Sequence, residues 1–218
     1  MDLQYILRVI SIAAIPLLLA LTLHEVAHGL IARALGDRTA EAQGRLSLNP
    51  LKHVDPIGTI LIPGFLFFVG APILFGWAKP VPIDLRNFKN PRRDFALVAA
   101  AGPGSNLLMA IAWTVLAGLA ARGLMGRGDF ADWVLAMGSM GLLFNVLLAV
   151  FNLLPIPPLD GGRVLVGILP LGAARSVARL EPFGMWIVIA LLLVGSRTGY
   201  SLAPIVGSVS NLIQNVFT

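Results

Sequence analysis

An unbroken apolar run at residues 9–23 leads directly into His24-Glu25-Val26-Ala27-His28. A membrane-spanning helix needs about 20 mainly apolar residues, so a helix over residues 3–35, kinked at Pro16, is predicted to cross a bilayer. Ionisable side chains are costly in hydrocarbon and rarely occur there without a partner or a use. The chain is therefore restricted to membrane folds that make use of this polar group.

Composition supports one integral membrane domain over residues 1–218, with a core at about 3–165 and C-terminal helices at about 180–218. The chain is 57% hydrophobic and 12% charged, and its mean hydropathy is +0.84. The absence of cysteine excludes disulfides, thiolate zinc sites and cysteine nucleophiles. The net charge of +5 comes from short loops between apolar segments, which favours contacts with the lipid bilayer over nucleic acid. We expect the first helix to be retained rather than removed as a signal peptide.

The apolar segments predict an all-α polytopic membrane protein with about five to six transmembrane helices. Further segments lie near residues 95–121, 133–153 and 183–194, with a short span or interfacial helix at 202–217. Residues 57–75 are apolar but broken by Pro63-Gly64, Gly70 and Pro72, so they either cross once or re-enter. Residues 39–48 (TAEAQGRLSL) alternate in polarity around Gly44, which predicts a re-entrant β-hairpin near the histidine motif.

Basic residues lie on both sides of the broken segment. Arg33, Arg38, Arg45 and Lys52 precede it, and Lys79, Arg86, Lys89, Arg92 and Arg93 follow it. A full crossing would put strongly basic loops on opposite faces, against the positive-inside tendency. We therefore expect a re-entrant segment, an external N-terminus, and a cytosolic depth for both His24 and the later Asp160.

His24 and His28 are four residues apart, so a helix presents both on one face as a clamp for one zinc ion. Glu25 is offset by one residue, which places its carboxylate beside the metal as a general base. Zinc lowers the pKa of bound water to about 7, so the predicted chemistry is hydrolysis.

Catalytic zinc sites have three protein ligands, and the candidates for the third are His53 and Asp160. His53 lies in NPLKHVDP among charged residues, which is typical of a loop histidine. Asp160 lies in NLLPIPPLDGG, where prolines end a helix and glycines permit sharp turns. Unwound backbone at membrane depth usually lines a site, which favours Asp160 over a merely capping or turn aspartate.

The two motifs together resemble the site-2 protease family of intramembrane zinc metalloproteases, peptidase family M50. HEVAHG matches the family's HExxH, and Asn152, Pro155, Asp160 and Gly161 match N-x-x-P-x-x-x-x-D-G. The family's G-x-x-x-N is present at residues 102–106. The segments GRLSLNPLKHVDPIG and GWAKPVPID are also similar, so the resemblance covers most of residues 20–165.

The resemblance implies that His24, His28 and Asp160 bind one zinc ion and that Glu25 is the catalytic base. Asn106 and Asn152 would position substrate or stabilise the oxyanion, with hydrogen bonding between helices as the alternative. The implied function is intramembrane cleavage of single-span membrane proteins near the cytosolic side of a prokaryotic cell membrane. We expect neither an inserted PDZ domain nor an appended CBS domain.

Two other classes of function remain open at this point. A metal or proton transporter would use the histidines and Asp160 as a relay, and it would not depend specially on Glu25. A pseudoprotease would bind membrane helices without cutting them. For a protease, an unwound substrate needs an edge for main-chain pairing, which residues 39–48, with residues 79–83, are predicted to supply.

Overall fold

The computed structural model describes residues 3–70, 76–198 and 202–217. The α-helices in these ranges are α1 (Leu3–Ala34), α2 (Thr39–Ala42), α3 (Ile62–Phe68), α4 (Pro91–Ala121), α5 (Asp129–Asn152), α6 (Asp160–Ile168), α7 (Leu171–Ala178), α8 (Glu181–Thr198) and α9 (Ala203–Phe217). Shorter 3-10 helices lie at Pro50–Lys52 and Leu85–Asn87, and a π-helical segment lies at Pro56–Leu61. The described ranges contain no strand, so the all-α prediction is confirmed for them.

Three of the described helices are long and apolar enough to cross a membrane: α1 over Ile10–Ala34, α4 and α5. A fourth span results if α7 and the Glu181–Gly195 part of α8, which meet at 65°, are counted together. The predicted five to six spans are not confirmed. One reason is α9, whose 15 residues reach about 22 Å against a hydrocarbon core of about 30 Å. The protein is a multi-pass, helical membrane protein.

The β-hairpin predicted for residues 39–48 is wrong. Thr39–Ala42 form the single helical turn α2, and Gly44 follows with a φ of +62°. The backbone N–H of Thr39 donates to Asp37 Oδ1 over 3.0 Å, a local side-chain turn that starts the chain into a helix. Alternating polarity over so few residues fits one helical turn as well as a strand, so this pattern could not distinguish the two structures.

The chain forms two compact units, and the first comprises Met1–Ala20, Gly104–Phe151 and Leu202–Thr218. Its core draws on α4, α5 and α9, through Ala110, Leu142, Val146, Val206 and Ile213. Within it, Gly141 of α5 leaves room for the Trp113 ring of α4, since a Cβ there would lie 2.6 Å from Trp113 Cδ1. Close helix packing through small residues is typical of membrane helices.

The second unit comprises Leu21–Pro103 and Asn152–Ser201. A small core of Ala32, Phe88 and Val98 joins the end of α1 to the start of α4. The broken apolar segment belongs to this unit, although residues 71–75 lie outside the described ranges. Trp77 N donates to Gly58 O over 3.1 Å, and Thr59 Oγ1 donates to Trp77 O over 2.8 Å. The two ends of the segment therefore meet.

Candidate metal centre

The two histidines of α1 point their ring nitrogens at one another. Their Nε2 atoms are 3.1 Å apart, and the rings are perpendicular with centroids at 4.7 Å. Each residue is 7% exposed. The four-residue spacing on a helix thus gives the shared face that the sequence predicts.

Asp160 is the first residue of α6 and completes the group. Its Oδ2 lies 3.2 Å from His24 Nε2 and 3.4 Å from His28 Nε2, and the residue is 5% exposed. Gly161 and Gly162 permit this position, because a Cβ on either would strike the backbone of residues 153–157. The loop therefore lies directly on the start of α6, as the paired glycines suggested.

Three potential ligand atoms, all within 4.8 Å of one another, converge on one point. With zinc–ligand bonds of about 2.0–2.1 Å, the edge of a tetrahedral site is about 3.3 Å. The observed separations of 3.1, 3.2 and 3.4 Å bracket that edge. Apart from the two imidazoles, the buried Asp160 Oδ2 has no partner in the described ranges. The donor set and its spacing fit a zinc ion.

Neighbouring groups of α4 orient the histidines. His28 Nδ1 lies 2.7 Å from Val98 O, so Nδ1 carries the proton and donates while Nε2 keeps its lone pair for a metal. Gly102 leaves the space occupied by the rings, since a Cβ there would strike His28 Nε2 and lie 2.6 Å from His24 Cε1. Both features suit binding of a metal by the histidines.

Glu25 lies one residue along α1 and is half-buried. Its Oε2 accepts a hydrogen bond of 2.8 Å from Val81 N. Val81 belongs to residues 79–83 (KPVPI), which we call the strap. The strap is fixed at its start by Lys79 N, which donates to His53 O over 2.9 Å, and by Arg45 Nη2, which donates to Lys79 O over 2.8 Å. The Glu25 carboxylate is thus held by backbone rather than by a cation.

The far end of the strap is fixed by Asp37, which is fully buried. Asp37 accepts hydrogen bonds from Thr39, from Asn87 Nδ2 (2.8 Å) and from Asp84 N (2.8 Å). Burial alone would raise the pKa of Asp37, but these hydrogen bonds outweigh it and hold the pKa below its ordinary value. Beside it, hydrogen bonds from Arg86 lower the pKa of Asp84 to about 2.

Arg163, one turn into α6, is a residue of the site that sequence reasoning missed. Its Nη1 lies 4.0 Å from Asp160 Oδ1, whereas the two histidines lie near Oδ2. Its guanidinium also lies over the Phe95 ring, 5.3 Å from the centroid. The i, i+3 spacing after Asp160 was the available signal.

The remaining candidates lie elsewhere. His53 is buried but bonds Ser47 O through Nε2 over 2.8 Å, and it is not part of the metal-binding group. Asn106, in the first unit, donates from Nδ2 to Ala20 O (3.2 Å) and to Asn145 Oδ1 (3.0 Å). Asn145, unnoticed in the sequence, is fully buried like Asn106. Asn152 is the last residue of α5.

Comparison with known proteins identifies the family of the chain. The model of peptidase family M50 matches residues 118–195. A protein of Bacillus subtilis (strain 168) named as a zinc metalloprotease, YwhC, is 39% identical over 217 residues, which are 99% of this chain and 95% of that protein.

The chain belongs to peptidase family M50. Proteins named as zinc metalloprotease Rip2 are also similar to it. That of Mycolicibacterium smegmatis is 33% identical over 81% of this chain and 64% of its own length. That of Mycobacterium tuberculosis (strain H37Rv) is 33% identical over 84% of this chain and 67% of its own length. No solved structure matches the chain.

Membership of family M50 and the convergent His24, His28 and Asp160 make the protein a zinc metalloprotease with zinc as its cofactor. The resemblance drawn from HEVAHG and NLLPIPPLDGG is confirmed.

Proposed function

We propose that the protein is an intramembrane endopeptidase that cleaves transmembrane segments of single-span membrane proteins near the cytosolic side of the cell membrane. His24, His28 and Asp160 hold one zinc ion, and Glu25 is the general base. One observation carries the proposal: the three candidate ligand atoms converge on one point, and two of them belong to α1, a helix long and apolar enough to cross a membrane. Bound zinc supplies a Lewis acid that lowers the pKa of water and polarises a carbonyl.

The residues of the chain divide the remaining work. His28 keeps its proton on Nδ1 through Val98 O, so Nε2 is available as a donor. Glu25 Oε2 is held by Val81 N, and Oε1 accepts no hydrogen bond within the described ranges, which leaves it free to take a proton from water. A carboxylate fixed through one oxygen and open at the other suits a general base.

The contacts of Asn106 support a different role from the one predicted for Asn152. A carboxamide has two N–H donors, and both donors of Asn106 are engaged within the first unit, by Ala20 O and Asn145 Oδ1. These contacts support a role for Asn106 in helix packing over a role at the oxyanion. Asn152 stays a predicted oxyanion donor.

The loops support the proposed orientation. Trp77 and Gly58 bond at the two ends of the broken segment, which supports re-entry rather than a crossing. With re-entry, the basic loops flanking that segment share one face, which the positive-inside tendency assigns to the cytosol.

A substrate helix must unwind before its peptide bonds are accessible. Because residues 39–42 are helical, the strap is the part of the predicted edge that remains as a candidate.

The test compares the wild type with Glu25→Gln, each co-expressed with candidate single-span membrane proteins, by following truncated products. We expect product from the wild type and at least a hundredfold less from the variant, since loss of a general base costs about 10²–10⁴-fold. Glu41→Gln, the same change on a partly exposed carboxylate, should behave as wild type. Comparable product from Glu25→Gln and wild type would contradict the proposal. Vesicle transport that survives Glu25→Gln would favour the transporter instead.

A further inference from the structure

A cleft of about 460 Å³ lies between the end of α1 and the start of α4, apart from the metal-binding residues. Ala34, Leu35 and Gly36 form one wall, and Lys89, Asn90, Arg93, Asp94 and Leu97 form the other. All of these residues belong to the second unit.

Two cations of this cleft are without partners. Lys89 and Arg93 are exposed, and neither makes a hydrogen bond or ion pair in the described part of the chain. The neighbouring Arg92 differs, since its Nε donates to Val166 O over 2.9 Å. The carboxylate in the cleft, Asp94, is buried and accepts from Asn90 N over 2.9 Å. The two free basic groups outnumber the one carboxylate, so the cleft has a formal net charge of +1.

The cleft lies at the level where two spans end. The α1 span ends at Ala34, and the α4 span begins at Pro91. Leu97, nearly two turns further into α4, is 46% exposed, so apolar surface adjoins the cations on the membrane side. Basic side chains beside exposed apolar surface at a span end match the arrangement of a phospholipid, with its phosphate at the interface and acyl chains below.

We propose that this cleft binds the headgroup of an anionic phospholipid, with Lys89 and Arg93 on the phosphate and Leu97 and Leu35 against the upper acyl chains. A negatively charged headgroup such as phosphatidylglycerol complements the net charge of the cleft, whereas a zwitterionic headgroup does not. The site is independent of the zinc ligands and of proteolysis.

The experiment is native mass spectrometry of the full-length protein in detergent, titrated with phosphatidylglycerol or phosphatidylcholine of equal acyl length. We expect selective binding of phosphatidylglycerol by the wild type. Lys89→Gln with Arg93→Gln should weaken it about 25-fold, since each basic side chain near an anionic surface contributes about fivefold. Arg175→Gln with Arg179→Gln removes equal charge from exposed positions of α7 and its C-cap, and it should retain the wild-type affinity.

Three outcomes would overturn the proposal: equal binding of both lipids, equal loss of binding in both double variants, or displacement of the lipid by excess inorganic phosphate. Displacement by phosphate would mean that the site binds free phosphate.

Photo-crosslinking needs no variant and so remains decisive if the double variant fails to fold. A photoreactive phosphatidylglycerol should label wild-type peptides containing residues 34–36 or 89–97, and labelling confined to other peptides would refute the site.

Discussion

At the scale of single residues, Gly102 decides whether the histidines have room to bind a metal. A Cβ there would strike His28 Nε2 and lie 2.6 Å from His24 Cε1, whereas one at Gly104 would have nothing within 4 Å. We expect Gly102→Ala to lose most of its zinc and Gly104→Ala to keep it, measured as zinc per protein by mass spectrometry. Alanine raises helix propensity by about 1 kcal/mol at both positions, so a difference in zinc content would come from the clash at Gly102 and not from helix propensity. Full zinc occupancy in Gly102→Ala would refute this reading of the site.

Arg163 lies beside the same centre, with its Nη1 4.0 Å from Asp160 Oδ1. We expect Arg163→Gln to weaken zinc binding about tenfold, the lower end for residues that orient a ligand, because the 4.0 Å pair is long and the arginine side chain is 34% exposed. Competition with a chromophoric chelator measures the affinity, and Arg175→Gln on exposed α7 is the control. An unchanged zinc affinity would mean that Arg163 contributes only through its packing against Phe95.

At the scale of elements, sequence predicted what local spacing and backbone chemistry determine. The periodicity of a helix brings His24 and His28 together, and the prolines and glycines around Asp160 mark an unwound segment before α6. The bond between Glu25 and Val81 joins residues 56 positions apart, so it depends on tertiary packing that no local pattern records. The same holds for Asn106 and Asn145, 39 positions apart on different helices.

The strap depends on Asp37, whose folded pKa lies below its ordinary value. Its contribution to stability is therefore present above the unfolded pKa of about 3.9 and is lost as the pH falls through the lower folded value. We expect Asp37→Asn to reduce the free energy of unfolding by about 2 kcal/mol at neutral pH, since hydrogen bonds to a charged acceptor are weakened.

Thermal unfolding in detergent, followed across pH 7 to acid, measures this effect. The midpoints of wild type and Asp37→Asn should converge as the pH falls below the folded pKa. Asp132→Asn, an exposed aspartate at the start of α5, should match the wild type throughout. The two midpoints could instead differ by the same amount in acid. That result would mean that the effect comes from the shape of the side chain and not from the charge of the Asp37 carboxylate.

At the scale of the whole molecule, the contacts of Asp37 constrain how the chain crosses the membrane. Asp37 precedes the broken segment, and its partners Asp84 and Asn87 follow it. Residues joined by hydrogen bonds of 2.8 Å cannot lie on opposite faces of a bilayer whose hydrocarbon core is about 30 Å thick. These contacts support our proposal that the loops on either side of that segment share a face, whereas the 31 residues of α4 are long enough to carry the chain across.

Because the chain has no cysteine, single cysteines report this topology directly. We expect Arg38→Cys and Arg86→Cys to react with a membrane-impermeant maleimide only in inverted vesicles, and Arg127→Cys to react in intact cells. The three variants lose the same charge, so any effect of the substitution on orientation is matched among them. Labelling of Arg38→Cys and Arg86→Cys from opposite sides would mean that the broken segment spans the membrane. A spanning segment would also place Asp37 and the strap on opposite faces. Val81 of the strap could then not hold the Glu25 carboxylate.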